Sequence, residues 1–242
     1  FEYNTTGGGG VYDDWTKRAW NAKYYNVDGF VLCDSLGGRG LAQIVPFPWW
    51  VDSESFYDAT DIRNSDYNIK RNWYYNNPES EKYGQKAEIT QETWEIGNLL
   101  PTITKFWYGK TADNEAYEGN NKDRMKFRLA ETYLLLAEAN INLGNTQAAA
   151  EAINTVRRRA GASDITPAQA TINFLLDERI RELVGEELRR FTLVRTGKMV
   201  ERTKKYNTVM GSKMVDTYTL WPIPQSIIDS NTGAEFPQNP GY

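Results

Sequence analysis

Six aromatic rings stand beside polar side chains in glycine- and proline-rich stretches: Trp15, Trp20, Tyr24, Tyr25, Trp49 and Trp50. Trp73, Tyr74 and Tyr75 form a further aromatic run. Flat indole and phenol rings can pack on the C–H faces of a sugar while Asn, Asp and Arg bond its hydroxyls. Asn21 and Arg39, with Asn26 and Gln43, are polar candidates of that kind close by. Taken singly, each ring is more often an anchor that holds a long loop on a small core. Taken together, at least one is expected to face a ligand, because binding concentrates on loops carried by a rigid scaffold.

The charged residues point elsewhere. Glu178, Arg179, Arg181, Glu182 and the run Arg157 to Arg159 have the composition of an active site. They read instead as an ion-pair network between adjacent helices, since buried charges need partners and these have many. The acidic set Asp52, Glu54, Asp58 and Asp61 offers oxygen ligands to a hard cation such as calcium; a solvated acidic loop is the favoured reading. Paired carboxylates could also hydrolyse a glycosidic bond, but any acid-rich chain offers such pairs.

Composition removes several function classes. The 242 residues contain no histidine, which excludes Ser-His-Asp catalysis and the common zinc sites. Cys33 is the one cysteine, so no intrachain disulfide forms. A formal net charge of −4 carries no nucleic-acid footprint. Gly7 to Gly10 lack the Lys-Ser/Thr of a phosphate loop, and the spacing of Gly37-Gly38-Arg39-Gly40 does not match a dinucleotide fingerprint. No cofactor is expected. Asp113 to Asp123 fails the calcium-loop pattern at its sixth position. No apolar run approaches the roughly 20 residues that span a bilayer, and Phe1 reads as mid-element sequence, as in a piece whose leader and anchor lie outside it.

The element best placed to carry such loops is a helical hairpin over 128–161. Gly144 and Gly161 are expected to end its two helices in left-handed caps. Tyr133, Leu136, Ala137 and Asn140 on the first helix should face Ala149, Ala152, Ile153 and Val156 on the second. The spacing is that of a tetratricopeptide-type hairpin, which cannot bury its apolar face alone. Thr166-Pro167-Ala168-Gln169 reads as a capping box that opens the next helix, with a break near Gly185. Before residue 128 regular structure is sparse: a short helix within 14–23, extended chain at 46–50, and strand-like stretches at 68–75 and 104–108. The tail, with Leu220-Trp-Pro-Ile-Pro224 and Gln238-Asn-Pro-Gly-Tyr242, should be extended and tied down by its aromatics.

The order of motifs from Arg128-Leu-Ala-Glu131 through Ile153 to Gly161, Glu178-Arg-Ile-Arg-Glu-Leu183, Phe191 to Arg195 and the two proline-rich tail segments resembles the C-terminal part of the SusD/RagB family of Bacteroidetes outer-membrane nutrient-binding lipoproteins. Phe47 to Arg63, with Asp61-Ile-Arg63, is similar to the segment around that family's Asp-x-Arg motif. Glu187-Leu188 stands where family members commonly have Glu-Gly, a departure that bears on the turn after it. The resemblance implies a mainly α, SusD-like fold: the hairpin, further helices, long irregular loops and a few short strands. It divides the chain into a loop-rich aromatic ligand-binding region, 1–127, and a helical scaffold and tail, 128–242, within one composite domain that lacks the family's N-terminal half. It implies a non-catalytic binder of oligo- or polysaccharide on the extracellular face of the outer membrane, held by a lipid anchor. The binder would pass glycan to a TonB-dependent, SusC-like transporter. A binder of another nutrient such as peptide, and a carboxylate glycoside hydrolase, are the alternatives.

Overall fold

The computed structural model describes residues 16–52, 55–107 and 125–242. Trp15, Glu54, the tetraglycine at 7–10 and the polar stretch 113–123 lie outside them. The chain forms two compact units, Phe1–Val184 and Gly185–Tyr242. Among the described residues it is mainly helical.

The first unit opens with α1 (Thr16–Trp20) and α2 (Pro48–Val51). Four two-residue strands follow with one short helix among them: β1 (Ile69–Lys70), β2 (Trp73–Tyr74), β3 (Lys86–Ala87), α3 (Gln91–Glu95) and β4 (Thr102–Ile103). The helical scaffold is α4 (Leu129–Asn142), α5 (Thr146–Arg159) and α6 (Ile172–Leu183). β1 pairs antiparallel with β4, Ile69 opposite Ile103 and Lys70 opposite Thr102. β2 pairs antiparallel with β3, Trp73 opposite Ala87 and Tyr74 opposite Lys86.

The hairpin forms as expected, with Gly144 at φ +75° and Gly161 at φ +73°. Both are left-handed conformations that a side chain strains. Ala149, Ala152, Ile153 and Val156 are buried on α5. On α4 the register differs from the expected one. Leu134, Ala137 and partly buried Ile141 join the core, while Leu136 is half exposed. Leu175 and Leu183 of α6 close the same cluster. The capping box at Thr166 exists, but it closes a single 3₁₀ turn, Pro167–Gln169; Thr171 then caps α6 through the N–H of Phe174. Pro48 opens α2 rather than holding the chain extended, because a proline at the first helical position loses no hydrogen bond.

Two aromatic cores hold the irregular region. Trp20, Trp50, Val51, Phe56, Tyr57, Ile69 and Ile103 pack together with Ile180 and Val184 of the scaffold side. Tyr24, Phe30, Trp73, Leu99 and Leu100 form the other. Each such buried side chain contributes roughly 1.5–3 kcal/mol, and this is how long loops stay ordered with few ladder hydrogen bonds.

An ion network joins loop to scaffold. Arg63 grips Asp61 with two hydrogen bonds of 2.8 Å, and its remaining nitrogen reaches Glu178 at 2.8 Å and Glu182 at 3.1 Å. Arg157 reaches Glu178 at 2.8 Å and Asp58 at 2.7 Å. Arg159 and Arg128 both bond Glu182. Asp58 and Asp61 of the acidic set are thereby given to guanidiniums.

The second unit holds α7 (Arg189–Arg195), α8 (Met199–Tyr206) and α9 (Gln225–Ser230). Its tail is tied by amides as well as rings. Gln238 accepts from the Ile223 N–H at 2.7 Å and donates to the Ile223 carbonyl at 2.8 Å. The Arg190 guanidinium lies 4.9 Å from the centre of the Trp221 ring. No helix among the described residues is long and apolar enough to cross a membrane.

Candidate binding site

Among the described residues, segments 66–74 and 104–107 line an open cavity of about 390 Å³, with Asp66, Tyr67, Lys70, Asn72, Tyr74, Thr104 and Trp107 in its wall. The volume falls within the roughly 300–1,000 Å³ of small-ligand pockets. The chain on either side of the Asp66–Tyr67 turn is tied down by side chains. Asp61 caps the 3₁₀ turn Ile62–Asn64 by accepting from the Arg63 N–H. Arg71 then ties three segments, donating to the Val51 carbonyl at 2.8 Å and to the Asn64 carbonyl and side chain at 3.1 and 2.6 Å.

The β1–β4 pair aligns the two walls. The Thr104 N–H donates to the Asn68 carbonyl at 2.9 Å, and the Thr104 hydroxyl donates to the Tyr67 carbonyl. The Trp107 N–H bonds the Thr104 carbonyl at 2.8 Å. The Trp107 ring rests on the glycine turn: a Cβ on Gly37 would stand 2.6 Å from its Cε2. Gly37 is at φ +82°, so both space and backbone exclude a side chain there.

Across β2 the side chains alternate. Trp73 is fully buried and donates its indole N–H to the Leu100 carbonyl at 3.0 Å. Tyr74 points outward and is 50% exposed; Tyr67, on the turn before β1, is 96% exposed. Lys70 is half-buried, donates to the Asn72 carbonyl at 2.9 Å, and lies 5.0 Å from the centre of the Trp73 ring. Burial lowers the pKa of its ammonium, and the charges of Asp66 and Cys33 only partly oppose this.

The rings expected from the sequence to face a ligand take different places. Trp15 lies outside the described residues. Trp20 and Trp50 are core residues. Tyr24 is fully buried, stacked on Trp73 at 5.5 Å with its hydroxyl bonded to the Cys33 backbone. Asn21 is fully buried and donates to the Leu36 and Gly38 carbonyls, so it holds the glycine turn. The three rings lie beneath the surface because a loop with little secondary structure must bury its largest side chains to be ordered at all. Tyr25 is half-buried and donates to the Gly40 carbonyl at 2.9 Å. Trp49 is half-buried, edge-on to Phe56 at 5.3 Å. Arg39 is exposed, but neither it nor Trp20, Asn21, Tyr24, Tyr25, Trp49 or Trp50 lines the cavity.

Of the sequence candidates, Tyr74 lines it. Asp66, Tyr67, Lys70, Asn72, Thr104 and Trp107 were not singled out. The available signal was a tyrosine inside the polar turn Asn64-Ser-Asp-Tyr-Asn68, where no core position is expected.

A sequence model of the SusD family matches residues 2–242. A SusD-like protein, P25, from Formosa agariphila is 34% identical over a stretch that covers 42% of this chain and 20% of that protein. A crystal structure of a SusD superfamily protein from Bacteroides fragilis NCTC 9343 superposes with a TM-score of 0.58 at 21% identity, covering 97% of this chain and 50% of that one. A SusD homolog from Bacteroides thetaiotaomicron VPI-5482 gives a TM-score of 0.51 at 24% identity over 76% and 41%. The last two bear on the fold alone. The chain spans half or less of the length of each of these relatives.

Proposed function

This chain belongs to the SusD family, and from that membership we propose that it binds oligo- or polysaccharide in the cavity between Tyr67, Tyr74 and Trp107. SusD family proteins are generally non-catalytic binding proteins. The proposed role is capture of glycan at the cell surface and its delivery to a TonB-dependent, SusC-like outer-membrane transporter. A lipid anchor outside this sequence would hold the protein on the extracellular face.

The observation that carries the reading is the pairing of exposed rings with polar groups around one cavity. Tyr74 and Tyr67 offer ring faces to solvent without being needed by either core. Asp66, Asn72 and Lys70 stand between them and can meet sugar hydroxyls. Aromatic faces supply apolar contact area, while the polar groups fix orientation. The loop backbone is tied by Arg71 and by the network through Arg63, so ordering it on binding should cost little.

The test is calorimetric titration of the chain against a glycan panel, with Tyr74→Ala and Tyr67→Ala beside the wild type. At least one replacement should weaken glycan binding about tenfold, ~1.4 kcal/mol, with the melting temperature unchanged. Glycan binding that survives both replacements would remove the cavity from the proposal.

A further inference from the structure

The hydrogen-bonding groups of the cavity are unequally committed. Thr104 gives its hydroxyl proton to the Tyr67 carbonyl. The Asn72 amide donates to Asp66 at 3.2 Å. Lys70 donates to the Asn72 carbonyl at 2.9 Å. That bond uses one of its three ammonium protons. The Trp73 ring, 5.0 Å away, faces the cation but accepts no strong hydrogen bond. Asp66 lines the same cavity, yet it is exposed and already bonded to Asn72. Its charge is therefore screened by water, whereas that of half-buried Lys70 is screened less. The lowered pKa of Lys70 agrees: burial outweighs Asp66 and Cys33. The site holds a cation that its own surroundings under-compensate, beside the half-exposed ring of Tyr74.

We propose that the cavity selects an anionic sugar substituent, a uronate carboxylate or a sulfate ester, seated on Lys70 Nζ while a sugar ring stacks on Tyr74. The inference rests on the glycan-binding reading of this cavity and adds the class of glycan. An oxyanion can accept both remaining N–H groups of Lys70, in charge-assisted bonds roughly twice as strong as neutral ones. A neutral hydroxyl satisfies the protons without balancing the charge. Both oxyanions share this chemistry, and separate titrations tell them apart.

The experiment titrates the 242-residue chain with neutral, uronate and sulfated oligosaccharides of equal length. At least one acidic set should bind about tenfold tighter than the neutral set. Lys70→Met should erase that preference, lowering acidic affinity more than neutral affinity, and Lys70→Arg should keep it. In the wild type the preference should shrink as salt rises, a reading that does not depend on either variant folding. Neutral affinity equal to or above acidic affinity overturns the inference, as does a preference that Lys70→Met or added salt leaves intact. Tyr74-dependent neutral binding without acidic preference overturns this inference and leaves the glycan-binding proposal standing. Failure of all three sets to bind overturns both.

Discussion

Glu178 is where the scaffold should be most sensitive to a single charge. It is fully buried, and it accepts from Arg63 at 2.8 Å, from Arg157 at 2.8 Å and from Arg181 at 3.0 Å. Glu178→Leu leaves three guanidiniums facing one another without the shared anion. Breaking a buried charge pair from one side costs about 3–5 kcal/mol, because the stranded charge remains desolvated. With a urea slope of about 2 kcal/mol/M, the unfolding midpoint should fall by about 1.5–2.5 M. Tryptophan fluorescence is the suitable signal, since every tryptophan but Trp221 precedes residue 185. Glu151 is the control: it bonds Arg158 in the open, with 58% of its side chain exposed. Glu151→Gln should leave the midpoint in place. A loss at Glu178 no larger than that at Glu151 would refute the network as the tie between loop and scaffold.

Glu182 adds an acid arm to that test. Burial raises its carboxyl, but the Arg128 hydrogen bond and the charges of Arg128, Arg159 and Arg63 outweigh this and hold it below its ordinary 4.5. A folded value below the unfolded one contributes stability that is whole above the unfolded pKa and is lost as pH falls through the folded one. Glu182→Gln should therefore be less stable than the wild type at neutral pH, and the gap should narrow as pH falls below the ordinary 4.5. A gap that stays constant would show that Glu182 acts by packing and not by charge. Gly37→Ala should displace the Trp107 ring, read as a shifted emission spectrum and weakened glycan binding; both unchanged would remove Trp107 as a fixed wall. Leu134→Ala should cost about 2–5 kcal/mol, and Leu136→Ala under about 0.5 kcal/mol. Equal losses would contradict the observed face of α4.

Much of the scaffold was legible in the sequence because helices announce themselves over many residues. The alanines of α5, the two capping glycines and the break before Gly185 each follow from periodicity and backbone freedom. The α4 register was not, since Leu134, Leu135 and Leu136 are consecutive and a leucine run has no preferred face. The fold class followed from the resemblance and agrees with the family match. The candidate site was legible only in type. Aromatic loops were identified, but burial of a given ring depends on pairings between segments far apart in sequence, such as Tyr24 on Trp73 and Trp94 on the Pro46 carbonyl.

Trp73 and Tyr74 show where that dependence enters. They are adjacent and both aromatic, and nothing in the residue types says which turns inward. The pairing of β2 with β3 decides it: Trp73 lies opposite Ala87, whose small side chain leaves room for an indole against Tyr24 and Phe30. Tyr74 lies opposite exposed Lys86 and so takes the outer face. Successive residues of a strand face opposite ways, so fixing one fixes the other. A partner two residues out of phase would leave that assignment unchanged, whereas a slip of one residue would bury Tyr74 and expose Trp73. The short sheet thus acts less as a stabilising element than as a selector. It assigns one ring to the core that orders the loop and its neighbour to the cavity that the loop presents.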